Sequence, residues 1–425
     1  MRRRAKKKEP TRKELKLHID SLGSGADGVA LDSGNKVYVP YVLPGEDIVA
    51  DVTGKRGFAS NIQTPSIHRQ RAPCAHFTVC GGCSLQHVKE EFYLRWKREQ
   101  VVTALGRERL DVEVAPVIKT SPSSRRRAVF VAEKVGKEVH LGFQRAKSHQ
   151  VVDLQECVIL DPALFAVRPT LKKMIELLRI KSARVSVTRC IEGFDVSIEA
   201  KACTFPDALI AQDIADLMRA PKIVRTVLND EPLMMTMQPT VNVASTRLPL
   251  PPGGFLQASE EGQNILIDLV AKATQGRKKV ADLFCGSGTF ALALAETASV
   301  VAVDSHGLAI EALKTAIAMA QQRGTTITPV KAAQRNLFET PLQADELSKF
   351  DAVIFDPPRA GASAQVACLA KSKVPLIVGV SCNPKSFARD AKELVEGGYT
   401  LTQVTPVDQF VYTSHIELVG VFERR

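Results

Sequence analysis

The chain has 425 residues, enough for two or three domains, and its 45% hydrophobic and 24% charged composition is that of an ordinary soluble protein. A formal net charge of +11 and a pI near 9.2 point to an anionic partner, most simply nucleic acid. No run is apolar enough to span a bilayer and the basic start lacks the apolar core of a secretory signal. The cytoplasm is therefore the expected compartment, and the nine cysteines read as ligands, nucleophiles or core residues rather than disulfides.

In chain order, residues 1–12 form a basic tail, Met1-Arg2-Arg3-Arg4-Ala5-Lys6-Lys7-Lys8, suited to non-specific phosphate contact. Residues 13–67 alternate short β-like runs with Gly and Pro, which predicts a small β-barrel. The pattern around Gly25-Ala26-Asp27-Gly28-Val29-Ala30, Val37-Tyr38-Val39-Pro40 and Leu43-Pro44-Gly45-Glu46 resembles the TRAM domain, an oligonucleotide/oligosaccharide-binding (OB)-like barrel found on RNA-modifying enzymes.

A second region, 68–250, opens with Cys74 and the turn Cys80-Gly81-Gly82-Cys83, whose glycines let two thiolates turn toward one metal. Cys157, Cys190 and Cys203 are the candidates for a fourth ligand, and spacing alone leaves zinc and an iron–sulfur cluster both open, with a lean to zinc. A helix over about 89–105 follows and can pack on the catalytic domain, then mixed strands and helices of a central α+β domain. Arg125, Arg126 and Arg127, with Arg145, Lys147 and His149, suit either a phosphate backbone or a solvated charged face.

After the proline-rich run Pro249–Gly254, expected to be a linker, residues 251–425 alternate helix and strand, the pattern of a doubly wound α/β sheet. Ala281-Asp282-Leu283-Phe284-Cys285-Gly286-Ser287-Gly288-Thr289 carries a strand into a Gly-x-Gly turn and a helix, so that backbone approaches a ligand closely. Asp304 stands at the next strand end, where a carboxylate binds ribose hydroxyls; ribose without the full pyrophosphate motif favours S-adenosylmethionine over a dinucleotide. Two further strands end at Asp356-Pro357-Pro358-Arg359 and Ser381-Cys382-Asn383-Pro384, which makes Cys382 the candidate nucleophile. Arg359, where adenine-amino methyltransferases carry an aromatic residue, argues against amino-group chemistry.

Phe284-Cys285-Gly286-x-Gly288-Thr289-Phe290, Asp356-Pro357-Pro358-Arg359-Ala360-Gly361, Ser381-Cys382-Asn383-Pro384 and the closing His415-Ile416-Glu417 together resemble the RNA uracil-C5 methyltransferase family, in the iron–sulfur type that acts on 23S ribosomal RNA. The resemblance implies a Rossmann-like class I methyltransferase domain with S-adenosylmethionine held by Gln257, Phe284, Thr289, Asp304, Asn336 and Asp356. It also implies a [4Fe–4S] cluster on Cys74, Cys80, Cys83 and Cys157, displacing zinc. Cys382 would add to uracil C6, and Glu417 would remove the C5 proton. The chain differs from related members in Ser259, where Asn is common, and in Asp304, where Glu is common. The expected partner is 23S ribosomal RNA with a flipped or looped uridine, and the expected state a monomer with no membrane contact. The alternatives are a transfer-RNA uridine methyltransferase and a non-catalytic RNA-binding or ribosome-assembly protein. Cys285, Cys190, Cys203 and Cys368 read as core.

Overall fold

Valine-rich runs punctuated by glycine become strands in the first part of the chain, because β-branched residues pack well on a pleated surface while the glycines accept the turns between. The computed structural model describes residues 12–201 and 203–424, so most of the basic tail lies outside the described residues. The chain divides into two compact units, one running through Lys97 and taking in Tyr412–Ser414, the other formed by Arg98–Val411 and His415 onward.

The first unit contains β1 (Lys13–His18), β2 (Ser21–Leu22), β3 (Asp27–Asp32), β4 (Asn35–Pro40), β5 (Asp47–Thr53) and β6 (Arg56–Thr64). They form one sheet in the order β1-β5-β6-β4-β3-β2. Ser33 and Gly34, both at positive φ (48° and 81°), make the two-residue turn whose twist suits the β3–β4 hairpin. Leu17 of β1 and Ala30 of β3 share one buried cluster with Val37, Val39, Ile48 and Val52, so the sheet folds over a common core. No ladder among the described residues joins β1 to β2, so the expected barrel is observed as a six-stranded sheet and not as a closed one. Glu46 is fully buried there. Burial alone would raise its pKa, but Arg69 and the amides of Leu43 and Ser66 hold it below the ordinary value.

Helix α1 (Glu90–Arg107) begins in the first unit and ends in the second. The second unit continues with β7 (Ile118–Lys119), β8 (Arg127–Val135), β9 (Glu138–Gln144), β10 (Val151–Asp153), α2 (Pro162–Ala166), α3 (Arg168–Leu177), β11 (Ser182–Arg189), β12 (Phe194–Ala200), α4 (Ala208–Arg219), β13 (Ile223–Leu228) and β14 (Glu231–Met235). Strands β8–β14 form a mixed seven-stranded sheet. A hairpin of β15 (Thr240–Val243) and β16 (Thr246–Pro249) follows. The proline-rich run beyond it is packed rather than loose at its start, since Leu250 is buried in the main core.

The remaining elements are α5 (Glu260–Ala273), β17 (Lys279–Leu283), α6 (Thr289–Leu294), β18 (Ser299–Asp304), α7 (Gly307–Gln322), β19 (Val330–Gln334), α8 (Ala344–Leu347), β20 (Ala352–Phe355), α9 (Ser363–Lys371), β21 (Leu376–Ser381), α10 (Pro384–Glu396), β22 (Tyr399–Asp408) and β23 (Glu417–Arg424). Their sheet runs β19-β18-β17-β20-β21-β23-β22-β7. Strands β19 through β21 are parallel, and β23 lies antiparallel between β21 and β22. The order reverses between β17 and β20, which opens a ligand crevice at the carboxyl ends of these strands. Among the described residues no helix is long and apolar enough to cross a membrane.

Candidate active site

The crevice begins with the turn after β17. Phe284, Gly286 and Gly288 all take positive φ (60°, 55° and 87°). A Cβ on Gly288 would come within 2.5 Å of Leu313 Cδ1, whereas one on Gly286 would meet nothing within 4 Å; the first glycine position leaves an open face and the second lets the turn pack on α7. Asp304 ties the turn down: its Oδ2 accepts the Gly286 N–H at 2.9 Å and its Oδ1 the His306 N–H at 2.8 Å. A carboxylate has lone pairs beyond these two, so Asp304 can still receive hydroxyl donors. Phe284 packs its ring 5.3 Å from that of Phe338, an exposed side chain beyond β19, and Asn336 Oδ1 accepts the Phe338 N–H at 3.1 Å. Thr289 is the first residue of α6.

Ser259, the residue noted as unusual, caps α5 by accepting the Gly262 N–H at 3.0 Å, a role serine and asparagine share. Gln257 just before it is buried. Arg126 holds this segment: its backbone N–H reaches Ala258 O at 2.9 Å and its Nη2 reaches Gln263 Oε1 at 2.8 Å. Burial pushes the Arg126 guanidinium down to about 10, so this member of the arginine trio is a buried brace and not a phosphate contact.

The far side of the crevice holds the reactive groups. Cys382 occupies the turn between β21 and the N-terminus of α10, where Asn383 accepts the Lys385 N–H at 3.2 Å and donates from Nδ2 to Arg359 O at 2.9 Å. Gly420 gives α10 its seat, since any Cβ there would stand 2.3 Å from Phe387 Cζ. The ladder pairs Ser381 with Leu418 and Val407 with Glu417, so Cys382, Glu417 and the end of β22 meet at one edge by register. Asp356 follows β20, the neighbour of β21.

The charges at this edge act on one another. Burial, then Glu417, then Asp356 push the Cys382 thiol up to about 11, while Arg359 pulls the other way. Burial and then Asp356 push the Glu417 carboxyl up to about 8, opposed by a hydrogen bond from the Gln409 side chain; burial pushes Asp356 up to about 7. Pairs of titratable groups displaced in this way cluster where chemistry is done.

The structure also adds residues for which the sequence carried no signal. Asp282 on β17 is fully buried; its Oδ2 accepts the Ala291 N–H at 2.9 Å, its Oδ1 has no partner among the described residues, and burial, Asp356 and Asp304 raise it well above the carboxylate range. Gln409 is buried behind Glu417. Cys285 is buried, with its pKa raised well above the ordinary thiol value, as suits an inert core residue, and Cys190 is likewise buried. Cys203 and Cys368, expected in the core, are only half-buried: Cys203 lies in the loop beyond β12, and Cys368, within α9, packs against the core only in part.

In the first unit, Cys74, Cys80 and Cys83 are half-buried. The Cys80 N–H reaches His76 O at 2.8 Å, and the Gly82 N–H points at Cys80 Sγ at 3.4 Å, the kind of contact that supports a thiolate ligand. His87 stacks 5.3 Å from Phe77 inside this loop, with neither ring nitrogen hydrogen-bonded among the described residues; burial pushes its pKa down to about 3. In the second unit Cys157 lies where its charge would act on Arg168. Among the described residues, no group of three or more His, Cys, Asp or Glu is assembled as a metal would need, so the expected ligand set rests on the cysteine spacing and the family resemblance.

The fold is that of an α/β methyltransferase. It superimposes with a TM-score of 0.76 on the Pyrococcus abyssi tRNA (uracil-54, C5)-methyltransferase in complex with S-adenosyl-L-homocysteine, covering 96% of this chain and 99% of that one at 24% identity. Residues 240–425 match the family model described as tRNA (Uracil-5-)-methyltransferase. A Caulobacter vibrioides protein named as an uncharacterized RNA methyltransferase is 41% identical, with 96% of this chain and 99% of that protein covered. The 23S rRNA (uracil(1939)-C(5))-methyltransferase RlmD of Burkholderia thailandensis is 33% identical over 96% of this chain and 95% of its own length. The chain belongs to the RNA uracil-5-methyltransferase family, and it is an enzyme.

Proposed function

We propose that this enzyme methylates C5 of a uridine in 23S ribosomal RNA through a covalent bond between Cys382 and C6. The observation that carries the reading is the meeting of Cys382, Asp356 and Glu417 at one strand edge, each with a displaced pKa. The likeness to RlmD over nearly its full length favours ribosomal RNA over transfer RNA.

Gln257, Phe284, Thr289, Asp304, Asn336 and Asp356 are assigned to S-adenosylmethionine. The open face at Gly286 and the Asp304 carboxylate fit a nucleoside with free ribose hydroxyls. When bound, that molecule supplies the methyl group and a positive sulfonium. Uracil C5 is too weak a nucleophile by itself; addition of the Cys382 sulfur to C6 makes it an enolate carbon. The resting thiol is protonated, and its proton must leave before the sulfur adds to C6, with Glu417 left ionised for the later step. The position of Cys382 ahead of α10 and the charge of Arg359 both favour the thiolate. After C5 is methylated, Glu417 takes the C5 proton, the electrons reform the C5–C6 double bond, and the Cys382 sulfur leaves.

The six-stranded sheet of the first unit is assigned as a TRAM-like RNA-binding module, and Cys74, Cys80, Cys83 and Cys157 as ligands of a [4Fe–4S] cluster, whose four-thiol donor set is of the right softness. No catalytic step depends on it. Iron and sulfide content of anaerobically purified protein, compared with a Cys80→Ser variant, tests that assignment.

The deciding experiment incubates the enzyme with labelled methyl donor and separate 23S and transfer-RNA transcripts, then maps the modified base. Label at uridine C5 of the 23S transcript is expected; label only in transfer RNA would transfer the reading to that substrate.

A further inference from the structure

Gln409 follows β22 and is 5% exposed. Its Nε2 donates to Gln257 Oε1 at 2.8 Å, and the same side chain hydrogen-bonds Glu417. The side chain thus lies between Gln257 and Glu417, placed there by the register that sets Val407 opposite Glu417. Its Oε1 is buried without a partner among the described residues, packed where Gly262 leaves room; a Cβ there would lie 3.1 Å from it. A buried amide oxygen left unpaired is costly, so this orientation is maintained by what the nitrogen does and not by general satisfaction of the amide. Gln257 spends its side-chain carbonyl on Gln409 and keeps its NH₂ for a ligand.

We propose that Gln409 is a positioning residue that orients Glu417 for removal of the C5 proton and links it, through Gln257, to the methyl-donor side of the crevice. This rests on the assignment of Glu417 as the base. The charged and titratable groups around Glu417 are Asp356 beyond β20, and Cys382 and Arg359, which act on the same edge. Gln409 is the neighbour that favours the ionised carboxylate there, against burial and Asp356. Loss of its N–H therefore makes Glu417 a base only at higher pH.

The test uses the full-length enzyme with Gln409→Met, similar in length and without a donor, and Gln409→Glu, which keeps the shape and adds a carboxyl beside Asp356 and Glu417. Circular dichroism melting checks that each is folded. Two readouts follow in RNA incubated with methyl donor: the pH dependence of methylated product release, and the amount of RNA covalently held on a denaturing gel. For Gln409→Met we expect release at neutral pH to fall about tenfold, the acid limb to move up by about one pH unit, and methylated covalent complex to accumulate. Gln409→Glu should move the limb further in the same direction. Unchanged profiles in a folded variant overturn the inference, as does a uniform loss at every pH without trapped complex, which marks a structural role. If Glu417→Gln itself releases product normally, the assignment of the base fails, and the inference with it.

Discussion

Asp356 and Glu417 are two carboxyls delivered to the same sheet edge from strands on either side of β21, and the charge of Asp356 raises the pKa of Glu417. Both are held protonated at pH values where the unfolded chain, with carboxyls near ~4, has released its protons. Such groups contribute stability fully below the unfolded pKa, and that contribution is lost as pH rises through about 7 for Asp356 and about 8 for Glu417. Glu417→Gln, which carries no charge to bury, should therefore melt higher than the parent by a margin that widens from pH 5 to pH 9. Calorimetry across that range reads the margin; a constant difference would show that Glu417 titrates normally.

The same edge separates the two halves of the reaction. Cys382→Ala should reduce methylation to background while leaving S-adenosylmethionine binding, measured by calorimetry, within a few-fold, because no proposed cofactor contact passes through the sulfur. Glu417→Gln should still form the methylated covalent complex but release it about 10²–10⁴-fold more slowly, the usual range for losing a general base. Turnover by Cys382→Ala would remove the covalent mechanism altogether.

Gly288 is the residue on which the cofactor turn depends for its shape. Its φ of +87° is costly for any other side chain, and a Cβ would strike Leu313 Cδ1 at 2.5 Å. Gly288→Ala should cost about 1–3 kcal/mol of stability and weaken S-adenosylmethionine binding by shifting the turn off α7. Gly286→Ala, at φ +55° with open space around it, keeps the backbone strain without the clash and should show the binding loss with a smaller destabilisation. Equal melting temperatures for parent and Gly288→Ala would mean that Leu313 yields freely.

The strand-turn-helix at Phe284–Thr289 and the strand ends at Asp304 and Cys382 were legible in the sequence because each follows a short apolar run closed by glycine, aspartate or proline, local signals that survive folding. What long-range packing decides was not legible. Arg126 looks like its neighbours Arg125 and Arg127 in the chain, yet just ahead of β8 it is bonded to Ala258 and Gln263, where charge becomes a brace. Gln409 has no motif around it; its role comes from the register that pairs Val407 with Glu417. Whether the first sheet closes was not legible for a related reason, because alternation reveals which face is buried but not whether the two edge strands meet.

The mixed sheet of β8–β14 offers a test of structure without chemistry. Asp195 and Arg225 face each other on β12 and β13, each 6% exposed, with Arg225 Nε donating to Asp195 Oδ1 at 2.8 Å and Nη2 to Oδ2 at 2.7 Å. The two-pronged geometry compensates both charges for leaving water, and removing one partner strands the other. Arg225→Met should therefore cost about 3–5 kcal/mol, read from urea unfolding, whereas Arg225→Met with Asp195→Leu should recover most of that loss. At a temperature where the single variant stays folded, its S-adenosylmethionine affinity should match the parent, since neither residue borders the crevice. A loss below 1 kcal/mol would mean that water reaches Asp195 and that the pair is a surface contact in its energetics.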